Sequence, residues 1–309
     1  MRYSLFSRFR GTILGALLGA NLAKSGDKSP QAVSDIGKLM LLGTESLVKL
    51  GKLDLDDWKQ RQQEELPSFH LNNNAATSEI IIATLPVALF FHDNLLKLRN
   101  NLLHTYQLWG EDPVVRDGIL AVGYAIALSL TEKLEPETLI AQIISFVGET
   151  PTSLPKKLLQ VNDLLSKHAG LETAKADLNT KDKTSSAIAL AFYCFLSTPE
   201  DFRLTVLRAN QLLPSPMIGA IIGALSGTYN STAGIPSQLR VLYLSADNST
   251  GILVNYPQML ELTDALLAVW SGVYNLSLHP KPLTLDGCVM LDKQNFVSVF
   301  AAPRVIRSR

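Results

Sequence analysis

Two stretches decide the fold: Gly11-Thr12-Ile13-Leu14-Gly15-Ala16-Leu17-Leu18-Gly19 and, two hundred residues later, Gly219-Ala220-Ile221-Ile222-Gly223-Ala224-Leu225-Ser226-Gly227. In each, three glycines recur every fourth residue, and on a helix that spacing lines them up on nearly one face. Glycine inside a helix costs about 1 kcal/mol relative to alanine, so three in a row require a compensating gain. Close approach of another backbone is the usual one. Both stretches are therefore read as helices at the centre of a bundle, in contact with each other. Membrane helix pairs use the same small-residue faces, but these runs are too short and too interrupted for a span of about 20 residues.

The rest of the chain extends the helical pattern. Apolar residues at helical spacing predict helices from Ser34 to Leu50, Thr77 to Phe91, Val115 to Leu130, Pro136 to Val147 and Ser185 to Leu196. Another is expected to open at Pro199-Glu200-Asp201, capped by Thr198, and a last one runs from Pro257 to Val273. Asp54, Asp56 and Asp57 before Trp58 read as first-turn acids of a further helix. The polar segments Lys24 to Pro30 and Gly170 to Lys183 are read as surface loops. Strand-prone residues gather only from Gly287 to Ala301, in Val289, Met290, Phe296, Val297, Val299 and Phe300. The expectation is one all-α domain over residues 1–309, with a short irregular or β C-terminal extension at 280–309.

Composition narrows the function classes. With 47% hydrophobic and 18% charged residues the chain is neither disordered nor highly charged. Lysine plus arginine and aspartate plus glutamate number 28 each, so no overall basic field would draw nucleic acid. Cys194 and Cys288 are too few for a disulfide framework, which suits a cytoplasmic protein. The five histidines lack zinc spacing. Arg2, Arg8 and Arg10 before an apolar run imitate a secretory signal, but a buried first helix is the simpler reading, and no membrane span is expected.

Arg8-Phe9-Arg10-Gly11-Thr12-Ile13-Leu14-Gly15-Ala16-Leu17-Leu18-Gly19 resembles the R-x-R-G-x-x-x-G-x-x-x-G opening of the ADP-ribosylglycohydrolases, the dinitrogenase-reductase-activating glycohydrolase family. The stretch Ala187 to Pro236 is similar to a second family signature. It runs through Ser197-Thr198-Pro199-Glu200-Asp201-Phe202 and Val206-Leu207-Arg208-Ala209-Asn210 to the second glycine ladder and Gly234-Ile235-Pro236. The resemblance covers about residues 8–240 and implies a compact all-α bundle.

It also implies a two-metal hydrolase site, which this sequence does not reproduce. Family members hold two magnesium or manganese ions with a Thr-Asp-Asp-Thr segment and the aspartates of Gly-Asp-x-Asp-Thr. At the corresponding places stand Ser34-Asp35-Ile36-Gly37 and Leu213-Pro214-Ser215-Pro216-Met217. Pro214 and Pro216 take both aspartate positions, Met217 that of the threonine, Ile36 that of another carboxylate, and Ala20 that of the usual acid of the first helix. Hard divalent ions need several oxygen ligands each, and only Asp35, with the Ser34 hydroxyl, remains as a remnant.

No catalytic residue is assigned, and no cofactor is expected. The leading expectation is a catalytically silent relative kept as a binding or regulatory module. Its ligand would be a nucleotide or ADP-ribose-like molecule, or else a protein partner. The competing expectation is a hydrolase of ADP-ribosyl N- or O-glycosidic bonds with a reduced magnesium or manganese site at Asp35. The remnant pocket would lie near Ser34, Asp35, Asn73, Asn74, Asn210 and Ser215. Asn72-Asn73-Asn74-Ala75-Ala76 is similar to the family's Gly-Asn-Gly-Ala segment and could line that pocket, although a polar loop capping the helix at Thr77 explains it as well. Ser215 before Pro216 is a favoured helix start that needs no metal. His92-Asp93 with Glu79 reads as helix-end groups rather than an acid–base pair, and Cys194 as a small core hydrophobe.

Overall fold

The structure, a computed structural model, describes residues 3–23, 30–66, 76–110, 112–212, 215–240 and 256–272. Among these there is no strand. The helices are α1 (Leu5–Leu22), α2 (Pro30–Leu50), α3 (Leu55–Glu65), α4 (Ala76–Ala83), α5 (Leu85–Phe90), α6 (Leu95–Tyr106) and α7 (Pro113–Leu130). They continue with α8 (Leu139–Val147), α9 (Leu154–Ser166), α10 (Leu171–Leu178), α11 (Lys183–Ser197), α12 (Phe202–Leu212), α13 (Pro216–Gly234) and α14 (Tyr256–Ser271).

The two glycine ladders meet. Gly11 faces Gly227, Gly15 faces Gly223 and Gly19 faces Gly219, so α1 and α13 run antiparallel with backbones touching. A Cβ on Gly15 would lie 2.9 Å from the Gly223 carbonyl carbon, and closer still to its oxygen. At one end the contact is clasped by hydroxyls, Thr12 to Thr228 at 2.8 Å and Ser7 to Thr232 at 2.6 Å. Around this pair pack α4, α7, α11 and α12 on the α13 side and α14 beside α1. Two arginines of α1 tie the pair outward. Arg8 donates to Glu132 at 2.8 Å and to the Ser129 carbonyl, while Arg10 forks onto both Asp264 oxygens of α14.

Three expectations need correction. The run from Thr77 to Phe91 is two helices, broken at Thr84. Pro86 has no N–H to continue the ladder, and Thr84 folds its hydroxyl back onto the Ile81 carbonyl at 2.8 Å. The helix expected to open at Pro199 starts at Phe202, with Asp201 as cap: its Oδ1 accepts the Leu204 N–H at 2.9 Å. Thr198 instead pairs its hydroxyl with Thr205 at 2.9 Å. Finally, Gly170 to Lys183 is not all loop, because Ala174 and Leu178 bury one face of the short α10.

One helix among the described residues, α7, is long and apolar enough to cross a membrane by length and composition, and 83% of it is buried inside the bundle. The strand-prone stretch Gly287–Ala301 lies outside the described residues.

Candidate functional site

Because α1 and α13 are antiparallel, the C-terminal end of α1 comes against the start of α13. The Ala23 methyl lies 2.8 Å from where a Gly219 Cβ would be, one helical turn inside Ser215. Asn210, near the end of α12, completes the corner by donating its amide to the Leu22 carbonyl at 2.9 Å. The structure thus brings Asn210 and Ser215 to one end of the central pair, where the resemblance places the cleft. Ser34 and Asp35 fall on α2, with side chains outside those described, and Asn73 and Asn74 lie outside the described residues.

The corner keeps the form of a helix-start site. Ser215 is extended (φ −129°, ψ 121°), Pro216 is the first helical residue, and the Ser215 carbonyl accepts the Gly219 N–H at 3.0 Å. Although the sequence reads Ser215 before Pro216 as a favoured helix start, the Ser215 hydroxyl makes no capping bond among the described residues. A proline at the first position leaves the helix start preformed without it. Among the described residues the buried Asn210 Oδ1 has no hydrogen-bond partner. The described chemistry here is one amide oxygen and one hydroxyl beside Met217, which is 8% exposed. Such groups suit hydrogen bonding to the uncharged polar groups of a ligand, such as hydroxyls.

They do not fit the two-metal centre that the resemblance implies. A pair of hard cations requires many oxygen donors, mostly carboxylates, and the start of α13 supplies none. Among the described residues no group of three or more His, Cys, Asp or Glu could hold a metal ion.

The other sequence candidates are structural. His92 is buried, with Nδ1 donating to the Leu89 carbonyl at 2.7 Å and its ring between Phe9 and Trp270. Cys194 is fully buried, and burial pushes its thiol up to about 12, so it is no nucleophile at neutral pH. Asp54 caps α3 through the Asp57 N–H at 3.2 Å, and Asp57 pairs with Arg61 at 2.7 Å. They are the helix-end acids expected.

Two buried polar networks escaped the sequence reading. Asp117, wholly buried, accepts from Arg116 at 2.7 Å and from the Thr150 and Thr152 hydroxyls at 2.6 Å each, which pins the turn before α9 to α7. Lys157, 4% exposed, donates to the Ser186 hydroxyl at 2.6 Å, the Asp182 carbonyl at 2.9 Å and the Thr180 hydroxyl at 2.5 Å. The available signal was a charge at a position the helical spacing gives to the buried face, as Lys157 stands between Leu154 and Leu158 and Val161. Its partners, distant in sequence, carry no mark.

A family model described as ADP-ribosylglycohydrolase matches residues 1–275, beyond the 8–240 that motifs alone delimit. Among solved structures, one described as an ADP-ribosylglycohydrolase-related protein complex superposes with a TM-score of 0.60 at 16% identity. The alignment covers 86% of this chain and 99% of that one, and at such identity it shows the fold alone. No curated protein matches the sequence.

Proposed function

The chain belongs to the ADP-ribosylglycohydrolase family, and from that premise we propose that it is a catalytically silent member kept as a binding or regulatory module. The supporting observation is the start of α13. Ser215 and Pro216 hold the backbone of a helix start, while the carboxylates that would make it a metal site are replaced. A scaffold preserved without its donors fits a protein that still recognises a ligand but does not cleave it. The ligand class is a nucleotide or ADP-ribose-like molecule, whose ribose hydroxyls would donate to Asn210 Oδ1 and exchange a hydrogen bond with the Ser215 hydroxyl. A protein partner is the alternative use of the same corner.

The competing reading, a hydrolase with a reduced magnesium or manganese site, rests on Asp35 and the Ser34 hydroxyl, the remaining oxygen donors at the positions the resemblance assigns. A thermal-shift titration with ADP-ribose, with and without Mg²⁺ or Mn²⁺, separates the two. Ligand at a hundred times its dissociation constant adds about 2.7 kcal/mol of apparent stability. The silent reading expects a shift with ADP-ribose that is indifferent to metal and to Asp35→Ala. A metal-dependent shift lost in Asp35→Ala, together with release of ADP-ribose from a modified substrate, would overturn it. No shift under any condition would transfer the role to a protein partner.

A further inference from the structure

On α6, Leu95 and Leu96 stand four and three residues before Arg99, so the three share one face. Between that face and α8 runs a groove of about 540 Å³, floored by the Tyr124 ring of α7, which stacks on Phe146 at 4.4 Å. Such a volume falls within the roughly 300–1,000 Å³ of small-ligand sites. None of the lining residues belongs to the α12–α13 corner. The rim is apolar for a surface: Leu95 is 40% and Leu96 77% exposed, side by side. Single exposed leucines need no explanation, but an adjacent pair over an aromatic floor makes a continuous apolar surface.

Two polar groups in this surface have capacity to spare. Arg99 is the one charged residue among the described residues of the lining. It caps the end of α8, with Nε donating to the Phe146 carbonyl at 3.2 Å and Nη2 to the Val147 carbonyl at 3.4 Å. A guanidinium carries five N–H donors, so both hydrogens of Nη1 remain for a ligand. The two carbonyls are neutral, the C-terminal end of a helix offsets only about half an elementary charge, and no described carboxylate pairs with Arg99. The guanidinium is thus fixed in direction and left positive. The second group is Tyr124. It is only 9% exposed, yet its hydroxyl has no hydrogen-bond partner among the described residues and is not sealed from solvent. Burial pushes its pKa up, so the phenol keeps its proton at neutral pH and can donate.

Donors without acceptors, one uncompensated positive charge and an apolar rim together select a ligand with one negative head and an apolar tail. A charge-assisted hydrogen bond from a guanidinium to a carboxylate is the strong kind, and a single positive charge balances one carboxylate but only part of a phosphate dianion. We propose that the α6–α8 groove binds a small amphipathic monocarboxylate. Its carboxylate accepts from Arg99 Nη1, the Tyr124 hydroxyl supplies a second donor in the same groove, and its tail covers Leu95 and Leu96. The site is independent of what the α13 corner binds.

Calorimetric titration of the full chain with octanoate tests it, with octan-1-ol as the uncharged probe. Octanoate should bind once per chain, about tenfold or more tightly than octanol. Arg99→Gln should remove that preference. Because Arg99 also caps α8, two further variants keep the test decisive if this one fails to fold. Tyr124→Phe keeps the ring stack and should weaken octanoate by about tenfold. Leu96→Glu alters a mostly exposed side chain, sparing the core, and should abolish binding by setting a like charge at the rim. ADP-ribose should not displace octanoate. The proposal is overturned if octanoate does not bind, if octanol binds equally well, or if either Tyr124→Phe or Leu96→Glu leaves the affinity unchanged. Displacement by ADP-ribose would likewise overturn it, by assigning the carboxylate to the α13 corner.

Discussion

Lys157 shows how a single charge can hold three elements. Its ammonium reaches from α9 to Thr180, Asp182 and Ser186 around the α10–α11 junction. Burial pushes its pKa down, Asp182 opposes that, and Lys183 adds to it. Removing the donor leaves buried acceptors unpaired, at about 1–3 kcal/mol. Lys157→Met should therefore lower the urea midpoint by that equivalent at unchanged slope; an unchanged midpoint would mean that water replaces the ammonium. Glu45 presents the opposite case. Burial raises its carboxyl pKa above the usual range, Glu65 adds repulsion, and Arg61, 3.3 Å away, opposes both. With the folded pKa above the unfolded one, the contribution to stability is full below the unfolded value and is lost as pH rises through the folded value. Glu45→Gln should accordingly raise Tm relative to wild type at pH 8, by on the order of 2 °C, with the difference closing towards pH 4. A gap that widens on acidification would show the Arg61 pair, not burial, to dominate.

At the scale of elements, the α1–α13 contact is where sequence said most. Glycines at every fourth position, twice, announced two helices touching along their backbones, and each ladder meets the other residue for residue. Elsewhere a local competitor overrides the helical pattern. Thr84 and Pro86 end α4 inside a pattern whose apolar residues continue unbroken, because the backbone lacks a donor there, whatever the periodicity. Asp201 displaces Thr198 as the cap of α12 because the acid sits directly before Phe202, the first helical residue. The ladder also carries a quantitative expectation. Gly15→Ala gains up to about 1 kcal/mol of helix propensity, yet its methyl meets Gly223 backbone, which cannot rotate away. Overpacking of this kind costs about 1–3 kcal/mol or more, and a backbone obstacle belongs at the high end, so calorimetry should find net destabilisation. Gly170→Ala is the control, since a Cβ there meets nothing within 4 Å and φ is −74°; its effect should stay below about 1 kcal/mol. Equal effects at the two positions would mean that α1 and α13 separate at little cost.

For the whole molecule, the two central helices lie some two hundred residues apart in sequence, and what surrounds them is contributed by the intervening chain. The cleft was only partly legible for the same reason. The resemblance could locate Asn210 and Ser215, but that Asn210 meets Leu22 and the start of α13 meets the end of α1 follows from the antiparallel packing of α1 on α13, which no local motif encodes. The partners of Asp117 and Lys157 were hidden likewise, being ordinary threonines and serines until the chain folds back. Such dependence on a distant pairing implies strong cooperativity. A chain ended at residue 212 retains α1–α12 but exposes the glycine face of α1 and strips α4, α7 and α11 of their shared neighbour α13. Neither water nor a rearranged α12 can refill a groove shaped for a glycine helix, because any other helix stands off by at least a methyl radius and leaves voids. The truncated chain should therefore keep helical circular dichroism while losing a sharp calorimetric transition and binding a hydrophobic dye. A cooperative transition in that fragment would show that the α2–α11 shell folds without its centre, and that the glycine pair is an insertion into a stable bundle rather than the axis around which it forms.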